Sequence, residues 1–182
     1  MFAYHDGAEI WHVTGLHLDT RYATVGTTRE EAYRKAFSGD DSMIGSREAD
    51  KLIGYAGEDR LNGGGGADYL GGYSGNDTLH GQSGRDRLSG GSGRDILDGG
   101  TGNDRLTGGK DADVFVFAKA SGHDVIVDFE PHDHIQIDSG ASRFSQLDIT
   151  KDGHDVLIAF AETEIRLLDT RLHSIDAHDF LF

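Results

Sequence analysis

Residues 63–107 repeat one nine-residue pattern five times: GGGGADYLG (63–71), GYSGNDTLH (72–80), GQSGRDRLS (81–89), GGSGRDILD (90–98) and GGTGNDRLT (99–107). Aspartate holds the sixth position of every unit, leucine holds the eighth, and glycine holds the first. On both sides of these five units the nine-residue spacing of aspartate continues, so that it covers nine units in all. The aspartates are Asp41, Asp50, Asp59, Asp68, Asp77, Asp86, Asp95, Asp104 and Asp113. The apolar residues are Met43, Leu52, Leu61, Leu70, Leu79, Leu88, Leu97, Leu106 and Phe115. Although 27 glycines and one proline would suit a flexible linker, so strict a register predicts a folded repeat.

The period predicts an all-β fold, a right-handed parallel β-roll, which is a β-helix solenoid. Glycines at the first and fourth positions permit a tight turn. The three residues after each aspartate suit one short strand whose middle, apolar side chain points inward. Two units then form one coil, so the loops of alternate units stack on the same edge about 4.8 Å apart. One edge is expected to carry Asp41, Asp59, Asp77, Asp95 and Asp113, and the other Asp50, Asp68, Asp86 and Asp104.

Stacked carboxylates at this spacing indicate a cation site. Two neighbouring bare carboxylates repel each other by about 3 kcal/mol at an effective dielectric constant near 20. Calcium suits the gap between them because it accepts 6–8 hard oxygen ligands, including backbone carbonyls, in flexible geometry. Zinc is disfavoured, since the repeats contain no cysteine and no regularly placed histidine.

We assign the second, fourth and sixth residues of one loop to an ion, and the first, third and sixth residues of the next loop on the same edge complete its ligands. Nine loops then hold up to seven ions, whose charge of +14 nearly balances the formal net charge of −15. Besides the nine aspartates, the candidate ligands are Gly39, Gly54, Ala56, Gly57, Gly63, Gly64, Gly65, Gly66, Gly72, Tyr73, Ser74, Gly75, Gly81, Gln82, Ser83, Gly84, Gly90, Gly91, Ser92, Gly93, Gly99, Gly100, Thr101, Gly102 and Gly108. Because one apolar side chain per unit offsets little of the chain entropy lost on folding, we expect the array to fold only when calcium binds.

The composition and motifs of the chain exclude several functions. Its negative charge argues against nucleic acid and anionic membrane surfaces as partners. No apolar run reaches the length of a membrane span. Residues 1–6 lack the basic and apolar regions of a signal peptide, so we expect export by another route. Since the H-E-x-x-H, G-x-S-x-G and Walker signatures are absent, we expect no enzymatic activity in this chain.

Three regions follow from these patterns. Residues 1–38 are expected to form an N-terminal cap of short strands plus a helix over about 28–37, which overlapping capping boxes at Thr27 and Thr28 introduce. Residues 39–117 form the β-roll. Residues 118–182 alternate apolar and polar residues and are expected to form a C-terminal β cap, with a hairpin turn at Lys151-Asp152-Gly153.

The nonapeptide units resemble the RTX (repeats-in-toxin, hemolysin-type) family over residues 39–117. The segment that follows is similar to those of serralysin-type proteases and alginate C5-epimerase R-modules. The ending Asp179-Phe180-Leu181-Phe182 resembles a type I secretion signal. The resemblance implies a bacterial, secreted, extracellular module that stays unfolded at low cytosolic calcium during export through type I machinery and folds outside. It also implies a larger parent protein, such as a protease, lipase or epimerase.

Three units depart from the regular pattern. Glu48 and Asp111 replace the fourth-position glycine, and residues 36–38 replace the start of the first unit, so the ends of the array are expected to bind calcium less well. Asp124, Asp128 or Asp133 are candidates to complete a last site. His132 and His134 flank Asp133 and are either metal ligands or, as we favour, part of a solvated loop.

Seventh-position residues of alternate units also form a stripe, consisting of Lys51, Tyr69, Arg87 and Arg105. This cationic and aromatic stripe suits an anionic polysaccharide such as alginate. The alternative, which we favour, is that the basic side chains only relieve local negative charge.

Overall fold

The computed structural model describes residues 38–182 and, before them, the backbone of three short strands. These are β1 (Tyr4–His5), β2 (Ala8–Glu9) and β3 (His12–Thr14). The helix expected over about 28–37 lies outside the described residues, as does most of the proposed N-terminal cap. β1 and β2 pair with each other, and β3 pairs antiparallel with the first strand of the repeats.

Strands from the repeat units follow one another along the chain. They are β4 (Ser42–Ile44), β5 (Lys51–Ala56), β6 (Arg60–Gly66), β7 (Tyr69–Ser74), β8 (Thr78–Gly84), β9 (Arg87–Ser92), β10 (Ile96–Asp98), β11 (Thr101–Gly102) and β12 (Arg105–Lys110). Most of them run past the three residues expected from the pattern, because backbone pairing continues into the loops. For example, the Gly65 N–H donates to Ser46 O at 2.9 Å.

The remaining strands are β13 (Val114–Phe117), β14 (His123–Ile126), β15 (His134–Ile137), β16 (Asp148–Asp152), β17 (Asp155–Phe160), β18 (Thr163–Leu167) and β19 (Phe180–Leu181). Three 3-10 helices lie among them, at Phe144–Gln146, Leu172–Ser174 and Ala177–Asp179. The predicted hairpin is confirmed, because β16 and β17 pair antiparallel. Its turn lies at residues 153–154 and not at 151–153, since Lys151 and Asp152 still pair as part of β16. No helix in the described part of the chain is long and apolar enough to cross a membrane.

Alternate units build two parallel sheets, which form a β-solenoid of about five turns. One sheet runs in the order β3-β4-β6-β8-β10-β13-β15-β19, and the other in the order β5-β7-β9-β12-β14-β18-β17-β16. Each residue pairs with the residue eighteen positions later, as Leu52 does with Leu70 and Leu70 with Leu88. The predicted two-unit coil is therefore confirmed.

The core is a ladder of single side chains between the two sheets. The predicted apolar residues from Met43 to Phe115 are at most 3% exposed. Ile126 and Ile135 extend the ladder, because they pair with Leu106 and Phe115 respectively. The segment after residue 117 thus continues both sheets of the solenoid, and its first strand β14 pairs in parallel with β12 after a step of twenty residues instead of eighteen.

Candidate metal centre

The aspartates stack on two edges of the solenoid, as predicted. On one edge the Asp41 N–H donates to Oδ1 of Asp59, and the Asp59 N–H donates to Oδ1 of Asp77, both at 2.8 Å. The other edge repeats this bond, for example from the Asp68 N–H to Oδ1 of Asp86 at 2.8 Å. Each side chain therefore points back to the preceding loop of its own edge, and one of its oxygens is held there by the backbone.

The second carboxylate oxygen of most of these aspartates is buried and has no hydrogen-bond partner. These orphaned Oδ2 atoms belong to Asp41, Asp59, Asp68, Asp77, Asp86, Asp95, Asp104 and Asp113. Seven gaps separate stacked repeat loops, and the aspartate that points into each gap contributes one such atom. The eighth belongs to Asp41, at the open end. Since a buried carboxylate without a partner is costly, each gap has an unmet need for a cation or a proton.

Asp50 differs from the other eight aspartates. Its Oδ2 accepts hydrogen bonds from the Ser46 N–H at 2.6 Å and from the Ser46 hydroxyl at 2.9 Å. Ser46 belongs to the unit in which Glu48 replaces the fourth-position glycine. The Oδ2 atom of Asp50 therefore has partners within the protein itself.

Backbone carbonyls from two loops face each gap. The Ser74 carbonyl, at a third position, accepts the Gly57 N–H of the preceding loop at 3.0 Å. In the opposite direction, a Cβ on Gly75 would overlap the carbonyl oxygen of Gly57, so that fourth-position carbonyl faces the following loop. The third-position carbonyl Ser74 O thus faces the preceding loop, and the fourth-position carbonyl Gly57 O faces the following one.

The carbonyls of the first and second positions also face opposite neighbouring loops. The Ser46 carbonyl, at a second position, faces the following loop and accepts the Gly65 N–H. A Cβ on Gly45 would overlap the carbonyl oxygen of Gly63, so that first-position carbonyl faces the preceding loop. In these loops, carbonyls of the second and fourth positions face the following loop, and carbonyls of the first and third positions face the preceding one.

The fourth-position glycines adopt a backbone that other residues rarely adopt. Gly75 has φ of 133° and Gly84 has φ of 140°. Asp111, which replaces glycine at this position, has φ of 78°, a left-handed conformation that aspartate tolerates better than most residues.

Burial changes the acidity of the stacked carboxyls. It raises the pKa of Asp77 to about 6 and the pKa values of Asp95 and Asp113 to about 7, from an ordinary value of 3.8. Loss of hydration is the largest cause, and repulsion from neighbouring carboxylates adds to it, while the backbone N–H bond to each side chain acts against it. The fold without an ion therefore disfavours the charged carboxylates.

The two edges end differently beyond the repeats. Asp124 and Asp133 continue the stacks, since their Oδ1 atoms accept the Asp104 and Asp113 N–H groups at 2.9 and 3.0 Å. Oδ2 of Asp133 also accepts the Glu130 N–H at 2.8 Å. Both oxygens of Asp128 are bound as well, by the N–H groups of Gly108 and Gly109 at 3.0 Å. Hence Asp128 and Asp133 are satisfied without a metal.

Donor type decides which ion fits these gaps. The described residues contain no group of three or more His, Cys, Asp or Glu side chains that could hold a metal, because each loop offers one carboxylate. An ion must therefore take most of its ligands from carbonyls, and an all-oxygen set of this kind suits calcium. Within residues 38–182, no such side-chain group includes His132 or His134, and both oxygens of Asp133 accept backbone N–H groups.

Residues 36–70, 71–106 and 89–118 match the model of the RTX calcium-binding nonapeptide repeat, a family known as hemolysin-type. The repeat region belongs to the RTX family. Its repeats are thus calcium-binding units, and the RTX array accounts for the stacked aspartates and the glycine turns together.

Solved structures that are similar to the chain include one lipase and two subunits of an epimerase. An extracellular lipase from Serratia marcescens shares 17% identity over 79% of this chain, with a TM-score of 0.43. The R2 and R3 subunits of an Azotobacter vinelandii mannuronan C5-epimerase share 27% and 24% identity over 76% and 80% of this chain, with TM-scores of 0.47 and 0.41. The matches cover 38% of the lipase, 91% of the R2 subunit and 80% of the R3 subunit. No curated protein sequence matches the chain significantly.

Proposed function

We propose that this chain is a non-catalytic, extracellular calcium-binding module that folds when calcium binds and supports the type I secretion and folding of a larger secreted protein. One observation carries the proposal: seven gaps between stacked RTX loops each receive one buried carboxylate oxygen without a partner. A buried polar atom without a partner is costly, and a cation between the loops would satisfy all seven in the same way.

Each ion would take one loop's second, fourth and sixth residues and the next loop's first, third and sixth residues. For the gap between Asp59 and Asp77, the carbonyls would come from Tyr55, Gly57, Gly72 and Ser74. A calcium ion, when bound, supplies two positive charges to two carboxylates. Up to seven ions would then reduce the formal charge of −15 almost to neutrality.

Charge makes the array a switch. Without calcium, folding brings ionised carboxylates together on both edges and removes them from water, and the single-residue core ladder does not offset this cost. With calcium, the same carboxylates become ligands, so binding free energy becomes folding free energy. The chain would therefore remain extended where calcium is scarce, which suits export in an unfolded state, and would fold outside the cell.

Far-UV circular dichroism during a calcium titration of chelator-treated protein tests this proposal. We expect a weak β signal without calcium and a cooperative gain as calcium is added. Magnesium at the same concentration is the control, because it is smaller and demands stricter octahedral geometry. An unchanged spectrum on calcium addition would overturn the proposal.

A second candidate function is binding of an anionic polysaccharide. Lys51, Tyr69, Arg87 and Arg105 pair in register on neighbouring strands and are all exposed, so the predicted stripe is continuous. Lys51 Nζ lies 5.5 Å from the centre of the Tyr69 ring, within range of a cation–π contact. Charge relief remains the competing explanation of the stripe.

Alginate binding separates these two explanations. Arg87→Ala with Arg105→Ala should weaken binding to immobilised alginate without changing calcium-induced folding. The matched control, Arg60→Ala with Arg143→Ala, removes the same charge elsewhere on the surface. If both pairs bind alginate like the wild type, the stripe serves only to relieve charge.

A further inference from the structure

A second concentration of basic groups lies in the segment after the repeats, away from the calcium loops. A cleft of about 610 Å³ separates the turn between β16 and β17 from the residues that follow β18. Its lining includes Lys151, His154, Thr170, Arg171, Leu172 and His173, and no carboxylate. For a chain with a formal charge of −15, such a surface is unexpected.

The hairpin places Lys151 on a different face of the sheet from its acidic neighbours Asp152 and Asp155. Lys151 pairs with the buried Val156 and so shares its face of the sheet. Asp152 and Asp155 form the next cross-strand pair, on the opposite face, where the Arg166 guanidinium binds both of them at 2.8 and 3.0 Å. Asp152 and Asp155 therefore share a cationic partner, Arg166, on the face opposite Lys151.

The walls of the cleft are held in place by hydrogen bonds. The Asp169 N–H donates to Asp155 Oδ1 at 3.0 Å, which ties the segment after β18 to the hairpin. The Ser174 N–H and hydroxyl both donate to the Arg171 carbonyl, at 2.9 and 2.7 Å. A ligand would meet a surface whose backbone is already ordered, which lowers the entropic cost of binding.

The two permanently charged side chains that line the cleft form no ion pair with the residues that the structure describes. Within residues 38–182, no ion pair involves Lys151 or Arg171. A neighbouring cleft on the other side of Arg171 contains Asp128, Glu130 and Asp169, so charge of opposite sign is segregated around this arginine. The alternative role of Arg171 is to offset those three acids.

We propose that the cleft binds an oxyanion, a carboxylate or sulfate group, through Lys151 and Arg171, with His154 and His173 as further hydrogen-bond donors. Arginine presents two parallel N–H groups that match the oxygens of such a group, and lysine adds a point charge. Leu172 offers an apolar contact for the body of a ligand that carries the anion. This site is independent of the calcium gaps and of the stripe on the outer sheet face.

Nitrogen-15 NMR of the calcium-loaded full chain tests the proposal. Sodium sulfate and sodium glucuronate are the two probes, and sodium chloride at equal ionic strength is the reference. We expect saturable shift changes confined to residues 151–154 and 170–173. Saturation with glucuronate alone would assign a carboxylate ligand, saturation with sulfate alone a sulfate ligand, and saturation with both a general oxyanion site.

Two variants give the decisive comparison. Lys151→Gln with Arg171→Gln should weaken probe binding by about tenfold or more. Lys119→Gln with Arg143→Gln removes the same charge from other exposed positions and should leave binding unchanged. Shifts that do not saturate, that chloride reproduces, or that persist in the first variant would overturn the proposal. Calcium-induced circular dichroism, measured on the same variants, reports separately on folding.

Discussion

Asp77→Asn should stabilise the calcium-free fold but weaken calcium binding. The asparagine keeps Oδ1, which accepts the Asp59 N–H at 2.8 Å. It replaces the orphaned Oδ2 with an amide group that can donate to the surrounding carbonyls. The negative charge disappears from a site that is 1% exposed.

The size of the effect follows from the acidity of Asp77. A carboxyl whose pKa rises from 3.8 to about 6 on folding costs the folded state about 3 kcal/mol once it is ionised in both states. The variant should recover much of this cost when calcium is absent. With calcium, it removes a charged ligand from the gaps on either side of Asp77, so affinity should fall and one or two ions should be lost.

One measurement tests the stability of the calcium-free fold, and a second tests calcium binding. In chelator, trimethylamine N-oxide drives folding, and the variant should reach its midpoint at a lower concentration than the wild type. Isothermal titration calorimetry should show weaker calcium binding with fewer ions. Asp148→Asn, an exposed change outside the array, is the matched control. The reasoning would be refuted if the variant failed to stabilise the calcium-free fold, if it bound calcium as tightly as the wild type, or if it kept the full number of ions.

Two further predictions concern the pH dependence of the calcium-free fold and a glycine substitution in the stacked loops. Folding raises the pKa values of Asp95 and Asp113 from 3.8 to about 7. Protonation of these carboxyls therefore stabilises the calcium-free fold fully below about pH 4, and this stabilisation is lost as the pH rises to about 7. Chelated protein should therefore gain β signal in circular dichroism between pH 8 and 5, and a constant or falling signal would contradict this. Gly84→Ala should destabilise the calcium form by about 3 kcal/mol or more, since its Cβ would overlap the Gly66 carbonyl at φ of 140°. Gly39→Ala meets open space and should shift the urea midpoint little, so equal midpoint shifts for the two variants would count against the stacked-loop geometry.

Much of the repeat region could be predicted from its period alone. A nine-residue spacing of aspartate and leucine determines which residues stack and which point inward, and the register of Leu52, Leu70 and Leu88 agrees with it. Glycine at two fixed positions likewise indicates the turns. These inferences hold because repetition makes one local conformation sufficient for every unit.

The continuation of the solenoid past residue 117 was not predicted. Asp124 and Asp133 are again nine residues apart, and Ile126 and Ile135 follow each of them by two positions. An insertion of two residues between Asp113 and Asp124 interrupts the period, so the sequence pattern suggested a separate cap. A search for the motif that allowed such a phase change would have found both units.

Other features depend on side-chain geometry that no period encodes. Ser46 satisfies Asp50, and Asp128 takes two glycine N–H groups that lie at the end of one aspartate stack. The basic cleft arises because a hairpin and a later segment meet in space, although Lys151 and Arg171 lie twenty residues apart in the sequence. These contacts require the folded chain.

Counting bound ions while the fold is monitored tests the central claim most directly. Native mass spectrometry of calcium-loaded protein, paired with circular dichroism of the same samples, relates ion number to β structure. We predict up to seven calcium ions on the folded chain, and loss of the β signal as a chelator removes them. A chain that keeps its complete β signal with no ion bound would contradict the claim that calcium folds the array.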